Sequence, residues 1–174
     1  MLKCELNVNS SDLEGKIEGQ VYQYQADLFA GAGLLYSKND YWVGNINFSL
    51  RESVLSPALT LGLGLKGVMG RSDFDYADFS AYALGFMALG EYDFRKDYTQ
   101  WPVSVSTGFT IAPSVLSFAD TDRYLDGNVT VYGHFMKNAA VLLGYRYTEM
   151  RFETNRYEAK DADDAVFIGV RFSF

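Results

Sequence analysis

The last nine residues, 166–174, read "VFIGVRFSF". Val166, Ile168, Val170, Phe172 and Phe174 share one parity, while Phe167, Gly169, Arg171 and Ser173 share the other. Successive side chains of a strand point to opposite faces, so this alternation describes a strand with one apolar and one mixed face. Ending on an aromatic residue is unusual for a soluble domain, whose termini are commonly polar and frayed. The fold turns on which of the two faces meets a core and which meets something else.

The same alternation recurs along most of the chain. Leu2, Cys4, Leu6 and Val8 alternate with Lys3, Glu5, Asn7 and Asn9, and Trp42, Gly44, Ile46, Phe48 and Leu50 alternate with Asn45, Asn47, Ser49 and Arg51. Leu59, Leu61, Leu63 and Leu65 oppose Thr60, Gly62, Gly64 and Lys66. The uncharged segment 100–119 has nearly the length of a membrane-spanning helix, but Val103, Val105, Phe109 and Ile111 oppose Ser104, Ser106, Gly108 and Thr110, which is the period of a strand. Within it Pro113 cannot donate to a ladder, so a bulge or strand end is expected there. "SSD", "KND" and "KN" at 137–138 are turn signals, and loops are expected at 71–78, 119–122 and 154–164. The faces of "FSAYALGFMALGEY" do not separate, because apolar residues fall on both parities. The count is about ten strands, with eight as the alternative. No segment has helical periodicity.

Length and composition fit one domain over 1–174. Aromatic residues make up 16% of the chain, with 13 Tyr and 13 Phe, more than an ordinary core needs. Mean hydropathy is slightly negative, but alternating faces cancel in such an average. A net charge of −7 argues against nucleic acid as a partner. Cys4 is the single cysteine, which excludes an internal disulfide and a cysteine-rich zinc site. No metal or cofactor motif stands out. "MLKCELNV" lacks the apolar core of a signal peptide, as expected of a mature form restarted at Met1.

Two kinds of barrel fit such strands. A soluble lipocalin-like barrel turns its apolar parity inward to bind a ligand. An outer-membrane barrel turns it outward to lipid and fills the lumen with polar groups. Three features favour the second. The polar parity is small, with Gly31, Gly33, Gly62, Gly64, Gly108 and Gly144. Tyr22, Tyr24, Tyr36, Tyr41, Trp42, Tyr92, Tyr98 and Trp101 cluster near strand ends, where rings with a polar tip suit a membrane interface. Phe174 and its alternating partners match the terminal-strand signal read by outer-membrane insertion machinery. The expected interface aromatics are Trp42, Tyr36, Tyr92, Trp101 and Phe174. The fold is therefore an all-β, transmembrane antiparallel barrel, expected to be monomeric in the bacterial outer membrane with lipid and lipopolysaccharide as its partners.

"APSVLSFADTDRY" at 112–124, followed by "VLLGYRYTEMRFE" at 141–153, resembles the YfaZ-type outer-membrane protein family. "LNVNSSDL", "FAGAGLLYSKND" and "LGLGLKG" are similar to its amino-terminal half. The resemblance implies a small bacterial outer-membrane barrel made with a cleaved signal, and no particular activity.

With the polar parity inward, Lys3, Glu5, Glu14, Lys16, Glu18, Arg51, Lys66, Asp126, Arg146 and Arg171 enter the lumen as a mixed-sign set, together with His134, the only histidine. Unpaired buried charge is costly, so these groups are expected to pair across a narrow interior. That arrangement makes either a plug or a thin polar path, with a small-anion site conceivable at Lys66, Arg146 and Arg171. His134 could serve a hydrolytic or lipid-modifying barrel if a Ser or carboxylate lay in reach, but no nucleophile motif accompanies it. "SDFDYAD", "ADTD" and "DADDA" are acidic without the spacing of a calcium loop. The expected role is a non-enzymatic envelope protein, structural or a narrow solute and ion path.

Overall fold

The computed structural model describes residues 1–23, 26–38, 41–74, 77–97, 100–119, 121–154 and 157–174, the side chains at 72–74, 77–81, 119, 152–154 and 157–161 excepted. Eleven strands form one antiparallel sheet: β1 (Leu2–Val8), β2 (Asp12–Gln23), β3 (Asp27–Ser37), β4 (Tyr41–Ser53), β5 (Leu59–Phe74), β6 (Ala77–Asp93), β7 (Val103–Ala112), β8 (Ser117–Ala119), β9 (Thr121–Met136), β10 (Ala139–Thr154) and β11 (Tyr157–Ser173). Each long strand pairs with its neighbours, β1 pairs with β11 and β5 with β6, so ten strands close a ring. β8 is a three-residue continuation of β7 along β6. Among the described residues the only helical turns are 3₁₀ segments at Phe94–Lys96 and Ser114–Leu116.

Local chemistry explains most boundaries. β7 ends at Ala112, directly before Pro113, and the ladder resumes at Ser117 after one 3₁₀ turn. Lys137 and Asn138 make the two-residue turn between β9 and β10. Asn9 Oδ1 accepts from the Ser11 and Asp12 amides at 2.7 and 2.6 Å, fixing the β1–β2 turn.

The expected loops at 71–78, 119–122 and 154–164 are corrected. β5 runs to Phe74 and β6 starts at Ala77, β9 starts at Thr121, and β10 and β11 extend to Thr154 and from Tyr157. Ladder hydrogen bonds form between backbones whatever the side chains, so hairpins continue past the point where apolar alternation stops. The alternative of eight strands falls with the same register.

The apolar parity faces outward. Leu61 and Phe172 are 45% and 44% exposed, and Leu63, Ile168, Ile46 and Leu143 are exposed beside them. A continuous belt of this kind far exceeds the scattered apolar residues of a soluble surface. The opposite parity packs the interior by cross-strand pairing of large with small. Asn47 stands opposite Gly31, Asn45 opposite Gly33, Asn128 opposite Gly108 and Asn7 opposite Gly169. The Phe167 ring lies over Gly144, where any Cβ would collide with it. Arg51 crosses Gly62 and Lys66 stands opposite Gly85 in the same way. β6 now separates: Ala83, Met87 and Asp93 are buried inside, while Tyr82, Leu84 and Phe86 are exposed outside.

Candidate functional site: the charged lumen

The lumen has three levels. Its termini-end mouth is a vestibule of about 290 Å³, where Lys3, Arg51, Glu91, Asp93, Arg95 and Arg171 are among the lining residues. A chamber of about 190 Å³ occupies the middle. Lys3, Arg51, Thr60, Glu91 and Arg171 line both spaces and so form the wall between them. On the side of the chamber away from the termini, Leu35, Val43, Val68, Ala83, Ala112, Tyr124 and Met150 form one buried apolar cluster, with Leu35, Val43 and Tyr124 also lining the chamber.

The dividing wall is held by ion pairs. Arg51 engages both oxygens of Glu18, donates to Ser49 Oγ at 3.1 Å and lies 4.5 Å from the Phe29 ring centroid. Lys3 Nζ stands 3.7 Å from Glu91 and 3.9 Å from Glu18. Arg171 pairs with Glu5 and donates to Tyr132 Oη, with its guanidinium 3.6 Å from that ring centroid. Three cations thus meet three carboxylates. The bidentate fork of Arg51 on Glu18 is the strongest geometry of the set.

A second group stands deeper. Arg146 donates to Asp12 Oδ2 at 2.9 Å and lies 3.6 Å from Glu14 and 3.8 Å from Asp163. Glu14 also takes Asn7 Nδ2 and Lys16 Nζ, each at 3.0 Å, and Tyr41 donates to Asp163 at 2.7 Å. Lys66 pairs with Asp126. Arg146 Nε, Asn7 Oδ1 and Asp12 Oδ1 are buried with no protein partner among the described residues. Lys66, Arg146 and Arg171 therefore do not converge as one anion site; each is engaged by its own carboxylate.

His134 sits at the vestibule wall. Its Nε2 is 2.9 Å from Ser104 Oγ and its Nδ1 is 3.1 Å from Arg95 Nη1, with Arg95 held by Asp93 at 2.8 Å. That carboxylate keeps the Arg95 guanidinium above its usual range. A guanidinium only donates, so Nδ1 accepts, and a neutral ring carries its proton on Nε2, which donates to Ser104. Activating Ser104 as a nucleophile needs the opposite tautomer. Ser104 is also fully buried. The contact a hydrolytic barrel would require is present, but it is arranged as structural hydrogen bonding. Among the described residues no group of His, Cys, Asp and Glu converges to hold a metal ion.

Of the expected interface aromatics, Tyr36 and Trp42 are cross-strand neighbours facing outward near one end, and Trp101 and Phe174 are exposed at the other, where Trp101 stacks on Phe94. Tyr92 is on the outward parity of β6 and donates to Asp97 at 2.7 Å. Tyr41 is a correction: it turns inward because it ends a strand on the lumen parity and finds Asp163 there. Tyr24 and Tyr98 lie outside the described residues, as do the side chains of the acidic stretch 72–78, Asp120 of 119–122 and the side chain of Asp161 in 161–165.

Several lumen groups escaped the sequence. Asp12 reads as part of a turn, and Glu91 lies in β6, whose faces could not be told apart. Leu35, Val43 and Val68 each adjoin an outward apolar or aromatic residue, so neither parity is marked, and Met150 stands between Glu149 and Arg151. The signal was there in doubled pairs such as Leu34–Leu35 and Val68–Met69: where both parities are apolar, the lumen itself is apolar.

Two solved structures align over nearly the whole chain. That titled KdgM porin covers 99% of this chain and 98% of its own at 10% identity, with a TM-score of 0.49. That of Ail, the attachment invasion locus protein of Yersinia pestis, covers 98% of both at 10% identity, with a TM-score of 0.24. No curated protein matches by sequence. A family model described as YfaZ precursor matches residues 57–174, which hold β5 to β11. This small outer-membrane-type barrel, with its apolar belt outside and its ion pairs inside, belongs to the YfaZ family.

Proposed function

We propose that the protein is a monomeric, non-enzymatic barrel of the bacterial outer membrane whose lumen is a narrow polar path held shut. The observation that carries this is the shared boundary: Lys3, Arg51, Glu91 and Arg171 line both the vestibule and the chamber, and ion pairs hold them there. A barrel of ten strands encloses little more than its own side chains, so solutes pass only when those side chains move. The wall suits gating because its pairs border water-accessible spaces on both sides, where salt and solutes compete with them. In this orientation the termini and the 137–138 turn face the periplasm, the long hairpins reach outward, and the terminal strand is what insertion machinery engages. Lipid, including lipopolysaccharide, covers the outer belt.

Planar-bilayer recording tests the path. The unmodified protein is expected to show small, intermittent currents. Arg51→Ala combined with Arg171→Ala is expected to raise the conductance. Absence of current above leak in both would contradict a path and leave a purely structural barrel.

A further inference from the structure

Above the apolar belt, the outer faces of β9 and β10 carry two arginines side by side. Arg123 and Arg151 are directly opposite in the ladder, and both are exposed. Opposite residues of an antiparallel pair have Cβ atoms about 5 Å apart, and like charges at that spacing repel. Lys160 of β11 takes the next register position, opposite Arg151. Arg123 has no ion pair among the described residues. Arg151 is held through Nε by Glu149 Oε1 at 3.0 Å, and Glu149 is itself bonded by Tyr147 Oη at 2.8 Å. The remaining guanidinium nitrogens of Arg151 are without a partner among the described residues.

The height of this pair is informative. On β10 the outward side chains run Val141, Leu143, Tyr145, Tyr147, Glu149 and Arg151, and on β9 Val131, Val129, Gly127, Leu125 and Arg123. Arg151 is four residues beyond Tyr147 and Arg123 two beyond Leu125, where the belt ends on each strand. At 3.3 Å per residue and a tilt near 40°, that is roughly 5–10 Å above the last apolar row. The long arginine side chain reaches back from there to the headgroup layer, which is roughly 5–7 Å deep. A chain with net charge −7 has here placed two cations side by side on its outside, at headgroup depth, with one carboxylate, Glu149, on Arg151 and none on Arg123 among the described residues.

We infer that Arg123 and Arg151 form a binding site for the phosphate of a lipid headgroup in the leaflet around the hairpin rim. Two planar guanidinium forks on adjacent strands can close on one phosphate from both sides with charge-assisted hydrogen bonds, removing the repulsion between them. Glu149 is a positioning residue: it takes one edge of Arg151 and leaves the other edges for the ligand. The site rests on the barrel lying in a membrane as proposed above, and it is independent of any path through the lumen.

The test uses the intact protein in detergent with two probes, phosphorylated lipid A and the same lipid after phosphatase treatment, scored by native mass spectrometry. The protein is expected to retain the phosphorylated lipid about tenfold better. Arg123→Gln with Arg151→Gln should abolish that preference while keeping the unheated, folded mobility on a gel, since both side chains are exposed. Arg123→Lys with Arg151→Lys should keep part of it. Equal retention of the two lipids, or an unchanged preference in the glutamine variant, would overturn the site. Displacement of the lipid by millimolar inorganic phosphate would show a free-anion site and overturn the lipid assignment. Flotation with lipid vesicles separates the underlying premise: a protein that never floats fails the membrane reading itself.

Discussion

The two ends of the lumen are lined by opposite chemistry. Toward the termini, three cations and three carboxylates interlock across the passage; toward the long hairpins, Leu35, Val43, Val68 and Met150 belong to one buried apolar cluster. The charged closure contributes little net stability, because desolvation offsets most of the attraction between the ions. It contributes specificity, since each charge accepts few arrangements. The apolar layer stabilises directly, by burial and packing. One end therefore serves as the yielding part of the barrel and the other as its fixed part.

The largest expected effect comes from unbalancing the buried charges. Arg146→Ala strands Asp12 and Glu14 without their cation, and equilibrium unfolding in urea is expected to show a loss of about 3–5 kcal/mol. Adding Asp12→Asn and Glu14→Gln should recover most of it; failure to recover would mean that Arg146 acts through packing. Next, Met150→Ala in the apolar layer is expected to cost about 2–4 kcal/mol by leaving a cavity, without the salt dependence that Arg51→Ala brings to stability and conductance. Equal salt dependence in both variants would erase the contrast between the ends. Gly144→Val pushes the Phe167 ring off its seat, for about 1–3 kcal/mol. The smallest effect is spectroscopic: ¹⁵N shifts of His134 should show the proton on Nε2, and Ser104→Ala should leave stability within about 1 kcal/mol. A proton on Nδ1 would reopen the catalytic arrangement.

What the sequence made legible follows the same contrast. Where one parity is apolar and the other is not, as in 59–66 and 166–174, the strand, its outward face and its lumen residues all follow from the alternation. Membrane and water demand different side chains, and the pattern records that demand. Pro113 marked the end of β7 for an equally local reason. Past the belt the pattern goes silent, so the hairpin extensions into Phe74, Thr154 and Tyr157 looked like loops. Inside the apolar layer it goes silent too, because both parities are apolar. The inward charges were readable one by one, but not their partners: Glu5 and Arg171 are 166 positions apart and meet only because β1 pairs with β11.

The orientation of the strands carries all of this, and one scan tests it. Replacing Cys4 with Ser and placing a nitroxide-labelled cysteine at each position from 166 to 173, in lipid vesicles, gives collision rates with oxygen, which partitions into acyl chains. Maxima at 166, 168, 170 and 172, with minima between them, are the predicted result. A profile without alternation, or with its maxima at 167, 169, 171 and 173, would contradict an apolar belt facing lipid and a charged interior.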